Sequence, residues 1–279
     1  MDFTIHTGDN RDILKTLDDN SVDAVVTDPP YGIDFLGKSW DANTGALETY
    51  TECLRVLKPG GYILAFSAAR TYHHLAVTLE QAGFEIRDQL MWLYSQAMPK
   101  GNNLKPAHEP IALGVKGKPS ALNINATRVP RETMTYPANG ISRLEFNQQK
   151  PQKWTGELTV NDQGGYPHNV LGLVEGYQKY FYCPKVSKAE RGIFNNHPTV
   201  KPVELMKWLI KLVTPDNSVV LDPFTGSGST GMAAVELGHT YIGCELDPDY
   251  VEIAKQRITA WNTEPEPENS FNEMFTKIG

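Results

Sequence analysis

Hydrophobic and polar positions divide the chain into three stretches. Over residues 1–97, short apolar runs alternate with segments of helical period. FTIHT (3–7) reads as a strand, and Asp9 or Asn10 in the following Gly8-Asp9-Asn10 suits the N-cap of a helix over 11–17. VDAVVTD (22–28) is a β-branched run that ends in a proline pair. ALETYTECLRVL (46–57) has helical spacing, with Lys58-Pro59-Gly60-Gly61 as its stop. Then come a strand at YILAFS (62–67), a helix over 69–82 closed by Gly83, and a strand over 84–94. Fully apolar strands separated by helices predict a parallel sheet covered on both faces.

From about 98 to 196 the pattern has no sustained period and is rich in Pro, Gly, Asn and Gln, as in PKGNNLKP and VNDQGGYPHN. So long a stretch without regular helices predicts an inserted functional module. Order returns at Pro202. VELMKWLIKLV (203–213) places Val203, Met206, Leu209, Ile210 and Val213 on one helical face. A strand over 218–221, a glycine-rich turn over 226–231, a helix over 230–237, a strand over 240–246 and a helix over 248–261 follow. The tail 262–279, containing EPEPEN, reads as mobile. The fold class expected is α/β: a doubly wound, mostly parallel sheet with an irregular insert. The organisation expected is 1–97, 98–196 as insert, 197–261 and the tail 262–279.

Net charge changes the picture of the insert. The whole chain of 279 residues carries −7, yet residues 98–201 hold 14 Lys and Arg against 7 Asp and Glu. A basic middle on an acidic body is what a polyanion-binding insert gives, and equally an ordinary solvated surface. Three separated cysteines, Cys53, Cys183 and Cys244, exclude a disulfide framework and a cysteine-rich zinc site. The histidines show no ligand spacing, and His73 and His74 are expected to point apart on their helix, so no metal is expected. No apolar run approaches the roughly 18 residues of a membrane span, and MDFTIHTGDN lacks signal-peptide character. A cytoplasmic protein with no membrane partner is expected.

Two motifs carry candidate chemistry. In Asp222-Pro223-Phe224-Thr225-Gly226-Ser227-Gly228-Ser229-Thr230-Gly231, glycines let backbone approach a ligand at a helix N-terminus. Glu245 ends the next strand, where an acidic side chain can accept both ribose hydroxyls. The turn satisfies G-x-G-x-x-G literally, so a dinucleotide site in a nicotinamide oxidoreductase is a competitor. Asp222 opposes a pyrophosphate and suits a cationic ligand such as S-adenosylmethionine. In Thr27-Asp28-Pro29-Pro30-Tyr31-Gly32, the two prolines stiffen the backbone after a buried strand. They aim the Asp28 carboxylate and the Pro29 carbonyl, both acceptors, at an amino group, while Tyr31 offers a ring for stacking.

TDPPYG, PFTGSGSTG and HPTVKP (197–202) together resemble the amino-methyltransferases of DNA, in the circularly permuted order of the β group. The resemblance implies a Rossmann-like methyltransferase fold with S-adenosylmethionine as methyl donor and double-stranded DNA as partner. It implies an exocyclic amine as acceptor: adenine N6 by the Asp of DPPY, with cytosine N4 as the alternative. A non-catalytic DNA-binding partner is the remoter one, and a homodimer is left open. It assigns Asp28, Pro29, Pro30 and Tyr31 to catalysis. Phe224, Gly226, Gly228 and Ser229 border the cofactor, with Asp222 near the methionine ammonium and Glu245 at the ribose. Asp9 and Asn10 lie at the adenine end, and Thr199 and Lys201 receive the methionine carboxylate. His197 orders its turn. The flipped base costs a few kcal/mol, offset in part by stacking on Tyr31. Lys100, Lys105, Arg128, Arg131, Arg143 and Lys153 are the phosphate-contact candidates, and the loop 33–43, with Phe35 and Trp40, is placed over base or cofactor.

Overall fold

Eight strands form one sheet whose order, β1-β8-β7-β2-β3-β5-β4-β6, puts the carboxyl ends of its first five strands on a common edge. They are β1 (Phe3–Thr7), β2 (Val22–Thr27), β3 (Leu57–Phe66), β4 (Glu85–Leu93), β5 (His108–Val115), β6 (Val170–Leu171), β7 (Val219–Asp222) and β8 (Thr240–Glu245). The computed structural model describes residues 2–33, 44–94, 106–128, 169–171, 186, 188–191, 195–196 and 199–263. Pairing is parallel from β1 through β8, β7 and β2 to β3; β5 is antiparallel to both β3 and β4.

Helices cover both faces. On one lie α1 (Asn10–Leu14), α2 (Leu47–Val56) and α3 (Tyr72–Ala82), whose Leu14, Tyr50, Cys53, Val56, Leu75 and Leu79 pack against Val25, Ile63 and Ala65. On the other lie α5 (Val203–Val213), α6 (Ser229–Glu236) and α7 (Pro248–Thr263), which meet Ala24, Val26, Leu64 and Phe66. Alternate residues of β2 and β3 serve opposite faces, as a strand's period of two dictates. All five positions predicted for one face of α5 are buried, each contributing roughly 1.5–3 kcal/mol relative to exposure. A four-residue helix, α4 (Lys188–Arg191), precedes α5.

Three sequence expectations change. Lys58-Pro59-Gly60-Gly61 is no turn: α2 runs straight into β3, which includes all four residues. Gly61 is needed there because a Cβ would stand 2.8 Å from the Asp23 carbonyl of β2. The stretch read as irregular from 98 contains β5, a core strand buried between β3 and β4. Pro110 disguised it. That residue pairs with Met91 one position beyond the last β3 partner, Ile111, so its missing N–H breaks no ladder bond with β3. Finally, the His73 and His74 rings do not point apart; their centroids are 3.9 Å from each other.

Candidate active site

The chain leaves β2 toward β3 on one side and leaves β7 toward β8 on the other, so neighbours β2 and β7 flank the topological switch point. Open α/β sheets bind ligands in the crevice outside the carboxyl ends at such a point. Asp28 directly follows β2, Asp222 ends β7, and Glu245 ends β8 beside Thr7 of β1.

Glycine conformation shapes the turn after β7. Gly226 and Gly228 have φ of 51° and 82°. A Cβ on Gly228 would lie 3.1 Å from the Ala254 Cα of α7, so only glycine fits. The Gly226 N–H donates to Glu245 Oε2 at 2.8 Å, and the Asp247 N–H donates to Oε1 at 3.0 Å. Burial raises the Glu245 carboxyl above its ordinary pKa, against those backbone donors. A carboxylate has about four acceptor positions, so two backbone bonds leave capacity for ribose hydroxyls. Leu246, next along, is 66% exposed. Ser229 Oγ is buried with no hydrogen-bond partner among the described residues. Phe224 lies against the core with its ring 6.4 Å from that of Tyr50.

Asn10 stitches the first turn to the second. Its amide donates to the Pro223 carbonyl at 2.9 Å and accepts from Thr49 Oγ1 at 2.9 Å, while the Gly8 N–H donates to the Glu245 carbonyl at 2.9 Å. Asp9 caps α1 through the Arg11 N–H and pairs with the Arg11 guanidinium, which holds its carboxyl below the ordinary range. Asp9, placed by the resemblance at the adenine end of the cofactor, is thus already paired with its own neighbour.

Asp222 points inward, not toward a cationic ligand as expected. It is 1% exposed. Thr27 Oγ1 and the Phe224 N–H donate to its Oδ1 at 2.6 and 3.0 Å, and Thr230 Oγ1 donates to Oδ2 at 2.7 Å. Burial pushes its pKa up to about 6 despite these bonds. An acid whose pKa is raised by folding contributes stability in full below its ordinary 3.8, and that contribution is lost as pH rises through about 6. At about 1.4 kcal/mol per unit, the loss is about 3 kcal/mol. Asp222→Asn should remove it. In urea unfolding, the variant should gain about 3 kcal/mol on the parent between about pH 4 and about pH 7. Parallel stability curves would show that Asp222 ionises in the fold without penalty.

Lys201 also departs from expectation. Its ammonium is buried against the DPPY segment, 2.5 Å from Asp28 Oδ2 and 3.5 Å from Glu109 Oε2. It lies 5.4 Å from the Tyr31 ring centroid and 4.9 Å from that of Phe66. The Tyr31 hydroxyl donates to Asp28 Oδ1 at 2.8 Å and to Glu109 Oε2 at 3.0 Å. Burial, then Asp28 and Glu109, raise the Tyr31 pKa well above 10.0. Burial opposes the Lys201 charge, yet Asp28 and Glu109 together raise its pKa. Glu109 had no signal in the sequence, because it sits in the strand that Pro110 concealed.

The chain matches the DNA methylase family of N6 and N4 amino-methyltransferases over residues 22–256. It belongs to that family. This methylase is 30% identical over 256 residues to the type II methyltransferase M.HpaI of Haemophilus parainfluenzae, across 88% of this chain and 70% of that one. It is 27% identical to the DNA adenine methyltransferase YhdJ of Escherichia coli strain K12, across 91% and 82% of the two chains. The crystal structure of an M1.HpyAVI–SAM complex superposes with a TM-score of 0.59 at 26% identity, covering 91% of this chain and 99% of that one. The cytosine-N4-specific PvuII DNA methyltransferase shares the fold, with a TM-score of 0.64 at 16% identity over 100% of this methylase and 91% of that chain.

Thr199 is half-buried just ahead of α5. Lys100, Lys105, Arg131, Arg143, Lys153, His197, Cys183 and the loop residues Phe35 and Trp40 lie outside the described residues. Arg128 is half-buried and donates through Nε to Asn125 Oδ1 at 2.9 Å. Two cations of the basic middle serve internally: Lys201 as above, and Lys116, whose ammonium donates to the carbonyls of Arg55 and Leu57 at 3.0 and 2.6 Å. Among the described residues, no helix is long and apolar enough to cross a membrane, and no group of three His, Cys, Asp or Glu could hold a metal ion.

Proposed function

We propose that this DNA methyltransferase moves a methyl group from S-adenosylmethionine to the exocyclic N6 of adenine, with Asp28 and the Pro29 carbonyl as acceptors for the amine. One observation carries the reading: the Asp28 carboxylate stands at the end of β2, across the switch point from the glycine-rich turn, gripped on both oxygens. The Asp at this place, and the relative whose name specifies adenine, support adenine over cytosine.

The residues around the turn suit S-adenosylmethionine better than a dinucleotide. Glu245 would take the ribose hydroxyls, Ser229 Oγ is a spare buried hydroxyl at the start of α6, and exposed Leu246 offers an apolar surface beside the ribose site. S-adenosylmethionine supplies a methyl group on a sulfonium, an electrophile that needs neither metal nor enzyme nucleophile. Asp222 acts from beneath, holding Thr27 ahead of DPPY and Thr230 in α6 to one carboxylate.

The amine of adenine is a poor nucleophile while its lone pair is delocalised into the ring. Hydrogen bonds from its N–H groups to Asp28 and Pro29 favour a pyramidal nitrogen whose lone pair is available. Fixed acceptors aimed at charge that develops in the transition state are the larger part of such catalysis. Pro30 keeps Pro29 extended, and Tyr31, held by its hydroxyl, presents a ring to the flipped base. Arg128 and the five cations outside the described residues remain the proposed phosphate contacts, on a double-stranded DNA partner.

DNA from an unmethylated host expressing the protein, digested to nucleosides, should contain N6-methyldeoxyadenosine. N4-methyldeoxycytidine in its place would overturn the base assignment, and no methylated nucleoside would overturn the activity.

A further inference from the structure

We propose that Glu109 is a positioning residue for methyl transfer: by competing for Tyr31 and Lys201, it leaves the Asp28 carboxylate oriented yet able to accept the target amine. This rests on the reading of Asp28 as the amine's acceptor.

The four side chains close a ring. Asp28 Oδ1 and Glu109 Oε2 share the single Tyr31 hydroxyl proton, at 2.8 and 3.0 Å. Asp28 Oδ2 and the same Glu109 oxygen share the Lys201 ammonium, at 2.5 and 3.5 Å. Both of these donors to Asp28 are therefore also drawn toward Glu109. Two carboxylates against one ammonium give the cluster a formal charge of minus one. That charge favours the positive charge that develops on the attacking amine.

Without the second carboxylate, the balance fails in a definable way. Lys201 is buried, so its ammonium cannot turn to water and must settle fully on Asp28. The Tyr31 proton would follow. Asp28 would then be neutralised and saturated, as a lone buried ion pair is, with less capacity left for an N–H of adenine. The strands enforce the arrangement: Glu109 pairs with Trp92 in the β4–β5 ladder, two positions before Ile111, which faces Phe66 of β3. Lys201 enters from the segment ahead of α5.

Among the described residues, two titratable groups sense the ring's carboxylates. Tyr94 feels Glu109, and Asp222 feels Asp28. Neither supplies a cation that could replace Lys201.

The opposite deletion therefore has an opposite signature. Lys201→Met leaves two carboxylates in one buried site, and such a pair holds a proton between them. One carboxyl of the pair then ionises only at higher pH than it does beside the lysine, so activity is released as pH rises.

The test is single-turnover transfer of labelled methyl from S-adenosylmethionine to DNA over a pH series. Glu109→Gln should lower the rate constant about 10- to 100-fold, with cofactor and DNA dissociation constants within about twofold. Adding Tyr31→Phe to it should cost less than Tyr31→Phe costs in the parent, because the competition for Asp28 is already lost. Lys201→Met should move the acid limb of the rate profile up by about one pH unit or more. Parental rate and pH profile in Glu109→Gln would overturn the proposal, even if Lys201→Met does not fold. An active Asp28→Ala would instead remove the reading beneath it. An inactive Asp28→Ala beside a parental Glu109→Gln would sink the Glu109 proposal alone.

Discussion

Asp28→Ala should lower turnover by about a hundredfold or more while cofactor binding stays within about twofold. The magnitude is set by analogy with an oxyanion-hole donor, whose removal costs about 2.7–4 kcal/mol; Asp28 is the corresponding pre-organised acceptor, aimed at developing positive charge. The structure sharpens the expectation. The Asp28 oxygens already accept from Tyr31 and Lys201, so alanine also releases a buried ammonium toward Glu109, the remaining carboxylate within 3.5 Å. Some loss of stability should accompany the loss of rate. Asp28→Asn separates the two effects, since it keeps the volume and one acceptor oxygen but removes the charge. Both variants should bind S-adenosylmethionine, because the turn at 223–231 and Glu245 are built from other strands. Single-turnover methyl transfer measures the rate, and calorimetric titration with the cofactor reports on the fold. Near-parental transfer by Asp28→Ala would refute the acceptor role.

Most of the frame was legible in the sequence because the outer signals were local. VDAVVT and YILAFS are apolar runs of strand length, Gly83 ends α3 in the left-handed conformation at φ 105°, and Asp9 caps α1. The helical face of α5 could be read from spacing alone. What could not be read was nonlocal. Pro110 marks a loop by composition, yet it is harmless at a strand position without a β3 partner. Gly60 and Gly61 look like a helix stop, yet one of them is demanded by the close approach of Asp23. The partners of Asp222 lie at 27, 224 and 230, and only the folded sheet brings Thr27 to it. The direction of its carboxylate followed from that contact, so a reading from charge alone turned it the wrong way. Lys201 is a parallel case: the resemblance carried by HPTVKP places it at a ligand carboxylate, while the fold supplies two carboxylates of its own.

Glu245→Ala should act on binding where Asp28→Ala acts on rate. Its carboxylate does two things at once: it accepts the Gly226 and Asp247 N–H groups, and it has acceptor positions left at the ribose site. Hydrogen bonds to charged groups contribute about 1.5–3 kcal/mol each net, so the alanine variant should bind S-adenosylmethionine roughly 10- to 150-fold more weakly. Freeing the Gly226 N–H also loosens the turn, which places the expected loss toward the upper end. Glu245→Gln retains one acceptor oxygen and should lose less. At saturating cofactor the rate of methyl transfer should recover in both, since neither touches Asp28, Tyr31 or Lys201. Titration calorimetry with S-adenosylmethionine is the deciding measurement. An unchanged dissociation constant in Glu245→Ala would mean that Glu245 only braces the turn, and the ribose would then have to be held elsewhere on the β1–β8–β7 edge.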